Sequence, residues 1–229
     1  MSPIQAPERQ LLASWETNAA AWTSAVRGKA IASRELGTDR AILEAVAAQP
    51  PRAALDLGCG EGWLVRALTQ RGILAFGVDG SASLIEAARR ADQAVHAERY
   101  RCLHYEQLEP AALADAGPFE LAIANFALLG EDIETPLRAL AKLLVQPRRV
   151  LIQTLHPANI DAPERDGWRH EDFRGFGDAH AWAPMPWYFR TLASWTVELA
   201  GAGFTVERVS TPLNPGTGRP LSLLIDARG

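Results

Sequence analysis

Apolar residues recur at three- and four-residue steps in Leu11, Leu12, Trp15, Ala19, Trp22 and Val26, which predicts an amphipathic helix ahead of the first strand. A second helix is expected from Thr38, a good N-cap residue, carrying Ile42, Leu43 and Val46 until Pro50-Pro51 stops it. The period then changes. Ala53 to Leu57 is almost wholly apolar, as suits a strand buried on both faces of a parallel sheet. Trp63 to Leu68 returns to helical spacing, and Leu74 to Val78 is a second apolar run that ends at Asp79. Ser81 is placed to cap a helix with Leu84, Ile85 and Ala88 inward. Further strands are expected at Tyr100–Tyr105, Phe119–Asn125 and Val150–Thr154, with a helix over Pro136–Leu144. Periodicity fails from Asp161 to Arg190, a stretch rich in Pro, Gly, His and aromatics that reads as an irregular lid or binding loop. Helical spacing returns with Leu192, Trp195, Thr196 and Leu199 and stops at Gly201 and Gly203. Phe204–Thr211 and Leu221–Asp226 then read as two strands joined by a turn-rich link with no helix between them. Alternating strands and helices predict an α/β, doubly wound, Rossmann-like fold.

The densest chemistry lies between the first strand and its helix. Gly58, Gly60 and Gly62 alternate with Cys59 and Glu61. Glycines here open backbone angles closed to other residues and let a ligand approach the main chain. N–H groups at the start of the following helix favour an anionic or strongly polar group. Asp79, just after the second apolar run, is placed to accept hydrogen bonds from a ribose diol. Strand, glycine turn, helix, strand and acid together describe a nucleoside-binding half of a doubly wound sheet. The dinucleotide fingerprint needs a third glycine where this chain has Trp63.

Composition narrows the classes. A chain of 229 residues is long enough for one full core, and no apolar run reaches the ~20 residues that span a membrane. A net charge of −4 argues against nucleic acid or an anionic membrane as the main partner. Cys59 and Cys102 lack metal-type spacing and are expected reduced and packed, which with no secretion signal in Met1–Gln10 fits a cytoplasmic protein. His156, His170 and His180, with Asp161, Asp166, Glu171, Asp172 and Asp178 nearby, match no compact ligand motif, so no metal is expected.

The D-x-G-x-G-x-G run of Asp56 to Gly62 resembles motif I of the class I S-adenosylmethionine-dependent methyltransferases, and Asp79 matches that family's ribose-binding acid. The resemblance implies a seven-stranded sheet, mostly parallel and finished by an antiparallel strand, behind an N-terminal helical cap over residues 1–50. Residues 51–229 would then hold the cofactor, with 161–190 as a substrate lid. It implies cofactor contacts from Gly58, Cys59, Gly60, Gly62, Asp79, Gly80 and Ser81. Tyr105 and Glu106 stand where the family presents groups to adenine, although the common acidic version of that motif is absent here. Asn125, Phe126 and Ala127 occupy motif IV, bordering the transferred methyl. Trp22 belongs to the leading helices that cover the cofactor, and Arg34 or Arg27 is placed to reach its methionine carboxylate. The acceptor would be a small molecule with an apolar or planar part, methylated on O, N or C. His156 is the leading candidate for a base, because imidazole titrates near neutrality, and Tyr188 and Arg190 are candidates for touching substrate. Two alternatives remain open: an NAD-dependent oxidoreductase, disfavoured by Trp63 and the paired closing strands, and a cofactor-binding protein without transferase chemistry. The oligomeric state is left open.

Overall fold

The computed structural model describes residues 6–92, 96–176 and 181–229. The first helix, α1 (Ala6–Arg27), buries Leu11, Ala19 and Val26, as the spacing predicts. A five-residue π-turn over Arg34–Thr38, kinked at Gly37 where the backbone leaves the helical region, leads into α2 (Asp39–Ala47). Thr38 stands at the N-cap of α2, as expected, but its hydroxyl makes no cap. Its carbonyl instead accepts a hydrogen bond from Gln153 Nε2 at 3.1 Å.

The sheet begins with β1 (Ala53–Leu57), followed by α3 (Trp63–Thr69), β2 (Leu74–Asp79), α4 (Ala82–Ala91) and β3 (Tyr100–Cys102). It continues through β4 (Phe119–Asn125), α5 (Glu134–Leu143) and β5 (Leu144–Thr154). After an insert containing β6 (Gly167–Glu171) and β7 (Met185–Phe189) come α6 (Leu192–Gly201), β8 (Thr205–Ser210) and β9 (Leu223–Arg228). Among the described residues seven strands form one sheet in the order β3-β2-β1-β4-β5-β9-β8. All neighbours from β3 to β5 are parallel, and β9 runs antiparallel to both β5 and β8. The strand order reverses between β1 and β4, which makes their carboxyl ends the switch point where doubly wound folds bind ligands.

Both faces of β1 and β4 are buried, which is why these strands read as continuous apolar runs. Leu55, Leu57, Ala122 and Ala124 pack toward α5 and α6 with Leu137, Trp195 and Phe204. The alternate residues Ala54, Leu121 and Ile123 pack the other way with Ile42, Leu64, Val65 and Ile85 from α2, α3 and α4. At the far edge of β5, Arg149 is 5% exposed and holds Asp226 of β9 through two nitrogens, at 3.0 and 2.8 Å. The same guanidinium donates to the Gln49 and Ala45 carbonyls at the end of α2.

Three expectations need correction. β3 stops at Cys102 because Gln107 folds back, its Oε1 accepting the His104 N–H at 2.8 Å and its own N–H donating to the His104 carbonyl. Cys102 is exposed rather than packed. The insert is also less irregular than its sequence, since β6 and β7 pair antiparallel with Trp168 opposite Tyr188. β7 buries Met185, Trp187 and Phe189, with Trp187 and Met185 in a cluster with Leu11 of α1, whereas β6 carries no apolar alternation to betray it. His180 and Asp178 lie outside the described residues; among those described, no group of three His, Cys, Asp or Glu could hold a metal.

Removing one member of a buried ion pair leaves the other without compensation, so Asp226→Ala is expected to cost about 3 kcal/mol. Chemical denaturation monitored by circular dichroism measures it, and a loss below about 0.5 kcal/mol would show the Arg149 carbonyl contacts to suffice alone.

Candidate active site

The three glycines after β1 all have left-handed backbone, with φ of 70° at Gly58, 55° at Gly60 and 82° at Gly62. They do different work. A Cβ on Gly58 would lie 2.5 Å from the Ala127 Cβ, so this glycine lets the end of β1 press against the segment after β4. A Cβ on Gly62 would lie 2.7 Å from the Tyr100 ring and 2.9 Å from the Ala88 Cβ, so Gly62 serves packing of α3. Gly60 alone faces space, its nearest neighbour in that direction being Trp22 Nε1 at 3.5 Å. The turn is held by Val78, whose carbonyl accepts from the N–H groups of Gly58 and Cys59 at 2.8 and 3.0 Å. Asp79 completes it: Oδ2 accepts from the Gly60 N–H at 2.9 Å and Oδ1 from the Ser81 N–H at 2.8 Å.

Above this turn lies a cavity of about 1000 Å³. One part of its lining comes from the carboxyl ends of the strands: Gly58 to Gly60, Asp79 to Ser81, His104 to Glu106, and Asn125 to Ala127. The other part comes from α1 and the insert, with Leu11, Trp15, Trp22, Glu171, Phe173, Phe176, Met185 and Trp187. The helix joins the two parts. Glu16 accepts hydrogen bonds from the Ser81 and Ser83 hydroxyls at the start of α4. Two residues on, the buried Asn18 donates to the Ala183 carbonyl at 2.9 Å and accepts the Ala183 N–H at 2.8 Å. That amide clasps the insert as a neighbouring strand would.

Carboxylates gather around the glycine turn: Asp79 lines the cavity, while Asp56 and Glu61 are buried outside its lining. Burial, with the charge of Asp79 second, pushes the Asp56 carboxyl up to about 8. Burial also raises Asp79, a shift opposed by the N–H bonds from Ser81 and Gly60 and reinforced by Glu16. The Cys59 thiol is raised by burial and by the same two aspartates, so it stays protonated and unreactive at neutral pH. Glu61 is buried but charge-balanced, its carboxylate meeting Arg27 Nε and Arg66 Nη2 at 2.8 Å each. Asn125 contributes a buried side-chain oxygen, Oδ1, that has no hydrogen-bond partner. Phe126 beside it adopts φ of 54°, a conformation that side-chain-bearing residues rarely take and that clusters at ligand sites.

The structure brings Gly58, Cys59, Gly60, Asp79, Gly80, Ser81, Tyr105, Glu106, Asn125, Phe126, Ala127, Arg34 and Trp22 to one cavity. It does not bring Gly62, for the packing reason above. Arg27 is also elsewhere, since it ends α1 and spends its guanidinium on Glu61 and the Ala87 carbonyl. The three residues expected to do chemistry lie outside the lining. His156 caps a short 3-10 turn, its Nδ1 accepting the Ala158 N–H at 3.1 Å, and burial lowers its pKa. Tyr188 packs edge-on against Trp168 and donates its backbone N–H to the Leu129 carbonyl. Arg190 is buried, donates to the carbonyls of Gly130 and Glu131 and rests on the Tyr188 and Trp195 rings. It braces the loop after β4. Nothing in the sequence marks Asn18 or Glu16, because single polar residues on an amphipathic helix look solvated. Phe173, at φ of 58°, is equally invisible before the fold is known.

A doubly wound sheet with its glycine turn and acid at the switch point, closed by an antiparallel strand, defines a nucleoside-cofactor enzyme fold. Residues 31–209 match the model of a family described as a methyltransferase domain, and the chain belongs to that family. Over its whole length it resembles 1,6-didemethyltoxoflavin-N1-methyltransferase of Burkholderia thailandensis, solved with 1,6-didemethyltoxoflavin and S-adenosylhomocysteine (21% identity, 92% of that chain, TM-score 0.66). It also resembles an S-adenosylmethionine-dependent methyltransferase of Mesorhizobium loti, at 24% identity over 81% of this chain and 96% of that one, with a TM-score of 0.59. A ubiquinone biosynthesis O-methyltransferase of Rhodopseudomonas palustris (strain BisB5) is 42% identical over 57 residues, 24% of this chain and 22% of the relative. The chain thus matches about a fifth of the length of that curated relative.

Two measurements test this geometry. Adding a methyl at Gly62 meets both a left-handed backbone and a filled space, so Gly62→Ala is expected to lose about 2–4 kcal/mol of stability. The Asp56 carboxyl ionises near 3.8 when unfolded and near 8 when folded, so the unfolded chain releases a proton that the native protein keeps. Its contribution is therefore full below pH 4 and is lost as pH rises toward 8. Denaturation curves across this window should show wild-type stability falling with pH more steeply than that of Asp56→Asn.

Proposed function

We propose that this protein transfers a methyl group from S-adenosylmethionine to an O, N or C nucleophile of a small molecule. The observation that carries the reading is the convergence of the Gly60 opening, Asp79 and the unpartnered Asn125 Oδ1 on one cavity. Each asks for a group that the cofactor has. The exposed main chain at Gly60 accepts close approach of a ligand. Each Asp79 oxygen already takes one N–H and keeps lone pairs for the ribose hydroxyls. Asn125 Oδ1 supplies an acceptor for the ammonium of the methionine moiety, and Arg34 a cation for its carboxylate. Arg34 is held ready by Asp39 Oδ2, at 2.9 Å from its Nη2, and by the Trp63 ring. The Tyr105 hydroxyl donates to the Ala127 carbonyl at 2.9 Å, so backbone groups near Tyr105 and Glu106 are left for the adenine.

When bound, the cofactor supplies an electrophilic methyl on sulfur. The chain's own work is to hold the two reactants in line and keep water out, and alignment alone is worth about 7–11 kcal/mol. Gly80, Ser81 and Trp22 complete the cofactor's surroundings, and Phe126 and Ala127 stand between it and the substrate. The aromatics of α1 and the insert suit an acceptor with an apolar or planar part. With His156, Tyr188 and Arg190 outside the lining, no side chain is assigned as a general base. An oxidoreductase reading loses ground to the methyltransferase family match. The free state of both cysteines agrees with a cytoplasmic location.

Calorimetric titration tests the reading. S-adenosylmethionine and S-adenosylhomocysteine are expected to bind with micromolar affinity and NAD(H) not at all. Asp79→Ala, which also removes the acceptor of the Gly60 and Ser81 N–H groups, should weaken the first two at least tenfold, about 1.4 kcal/mol, in a protein that circular dichroism shows to be still folded. Binding of NAD(H) in their place would overturn the assignment.

A further inference from the structure

The lining of the cavity is lopsided in charge. Among the described residues its only Arg or Lys is Arg34, already engaged by Asp39 and stacked on Trp63. His104 adjoins Gly80, beside Asp79, on the strand-end side. The described residues of the part walled by α1 and the insert therefore present no Arg or Lys to an anion. They present carboxylates. Two of them, Glu8 and Asp132, are occupied in local ties: Glu8 Oε1 accepts the Asp132 N–H, and Asp132 accepts from the backbone and hydroxyl of Thr135.

Glu171 is different. It ends β6, is half-buried and lines the cavity. Its Oε1 accepts the Phe173 N–H at 2.7 Å, while Oε2 has no partner among the described residues. Beside it the aromatic rings form a continuous wall. Phe173 meets the Phe176 ring edge-on with centroids 5.3 Å apart, Phe176 meets Trp22 at 5.8 Å, and Trp22 meets Trp15 at 5.1 Å. A carboxylate with a spare oxygen offers a cation a charge-assisted hydrogen bond, and the rings beside it offer packing to an apolar or aromatic body. An anionic ligand would meet repulsion from the carboxylate.

We infer that the substrate part of the cavity takes a protonated amine carried on an apolar or aromatic body, and that Glu171 is the residue that selects it. This deepens the methyltransferase reading and rests on it. A substrate whose recognised group is a carboxylate or phosphate is excluded by the same charges.

The test uses three matched probes, 2-phenylethylamine, 3-phenylpropanoate and 3-phenylpropanol, titrated against the full chain saturated with S-adenosylhomocysteine and followed by tryptophan fluorescence. The amine is expected to bind at least tenfold more tightly than the other two. Glu171→Gln should bring the amine down to the level of the alcohol, with the affinities for alcohol and S-adenosylhomocysteine unchanged. Asp172→Asn, which alters an exposed neighbouring carboxylate paired with Arg174, should leave all three affinities as they are. Unchanged S-adenosylhomocysteine affinity and melting temperature also certify that Glu171→Gln is folded. The inference is overturned if the carboxylate binds as well as the amine, if the amine fails to bind at millimolar concentration, or if Glu171→Gln leaves amine affinity intact. Failure of S-adenosylhomocysteine to bind would instead remove the methyltransferase reading, and this inference with it.

Discussion

The left-handed turn between β1 and α3 is the constraint on which the rest of the molecule depends. Three residues with positive φ in a five-residue span would each be strained with a side chain, and at two of them a side chain would also collide. Gly58 brings β1 against the segment after β4, and Gly62 seats α3 on Tyr100 and Ala88. Those two contacts place the third, Gly60, where its main chain is open to a ligand. The accessible glycine is thus positioned by the two inaccessible ones. Asp79 then locks the arrangement by joining the turn to the first residues before α4, so one carboxylate sets the relation of two strands and two helices.

Two neighbouring acids, Asp56 in β1 and Glu61 in the turn after it, are treated in opposite ways. Glu61 is buried with two arginines around it and is turned to structure. Asp56 is buried without such balance and resists ionisation. The cavity itself is lined by six carboxylates and, among the described residues, a single arginine. A ligand bearing a sulfonium and an ammonium supplies what the chain withholds, which is a physical reason for such a ligand to bind here in preference to a neutral nucleoside.

The fold was legible in the sequence because its central strands are buried on both faces and its helices on one, and each condition leaves its own period. The strand-end half of the site was equally legible, since left-handed turns demand glycine and a ribose-binding acid must follow a strand. What the sequence concealed came from tertiary contact. Nothing in the residues around Arg190 announces that it will brace two carbonyls instead of meeting a ligand. His156 looks like a base until its Nδ1 is seen capping a turn. Gly62 matches the motif, yet only the Tyr100 ring explains it. The insert hid its hairpin because β6 is polar on both sides, and its pairing with β7 is visible only in space.

Within one turn of α1, Glu16 grips the start of α4 and Asn18 grips the insert. The two walls of the cavity are thus both fastened to one helix, and the insert is tied to the strand-end wall as well, through the Tyr188 N–H to the Leu129 carbonyl. Neither can swing outward without breaking a tie to that helix. A change in α1 therefore reaches both walls at once, from a helix that lies ahead of the glycine turn in sequence and contributes nothing to the sheet.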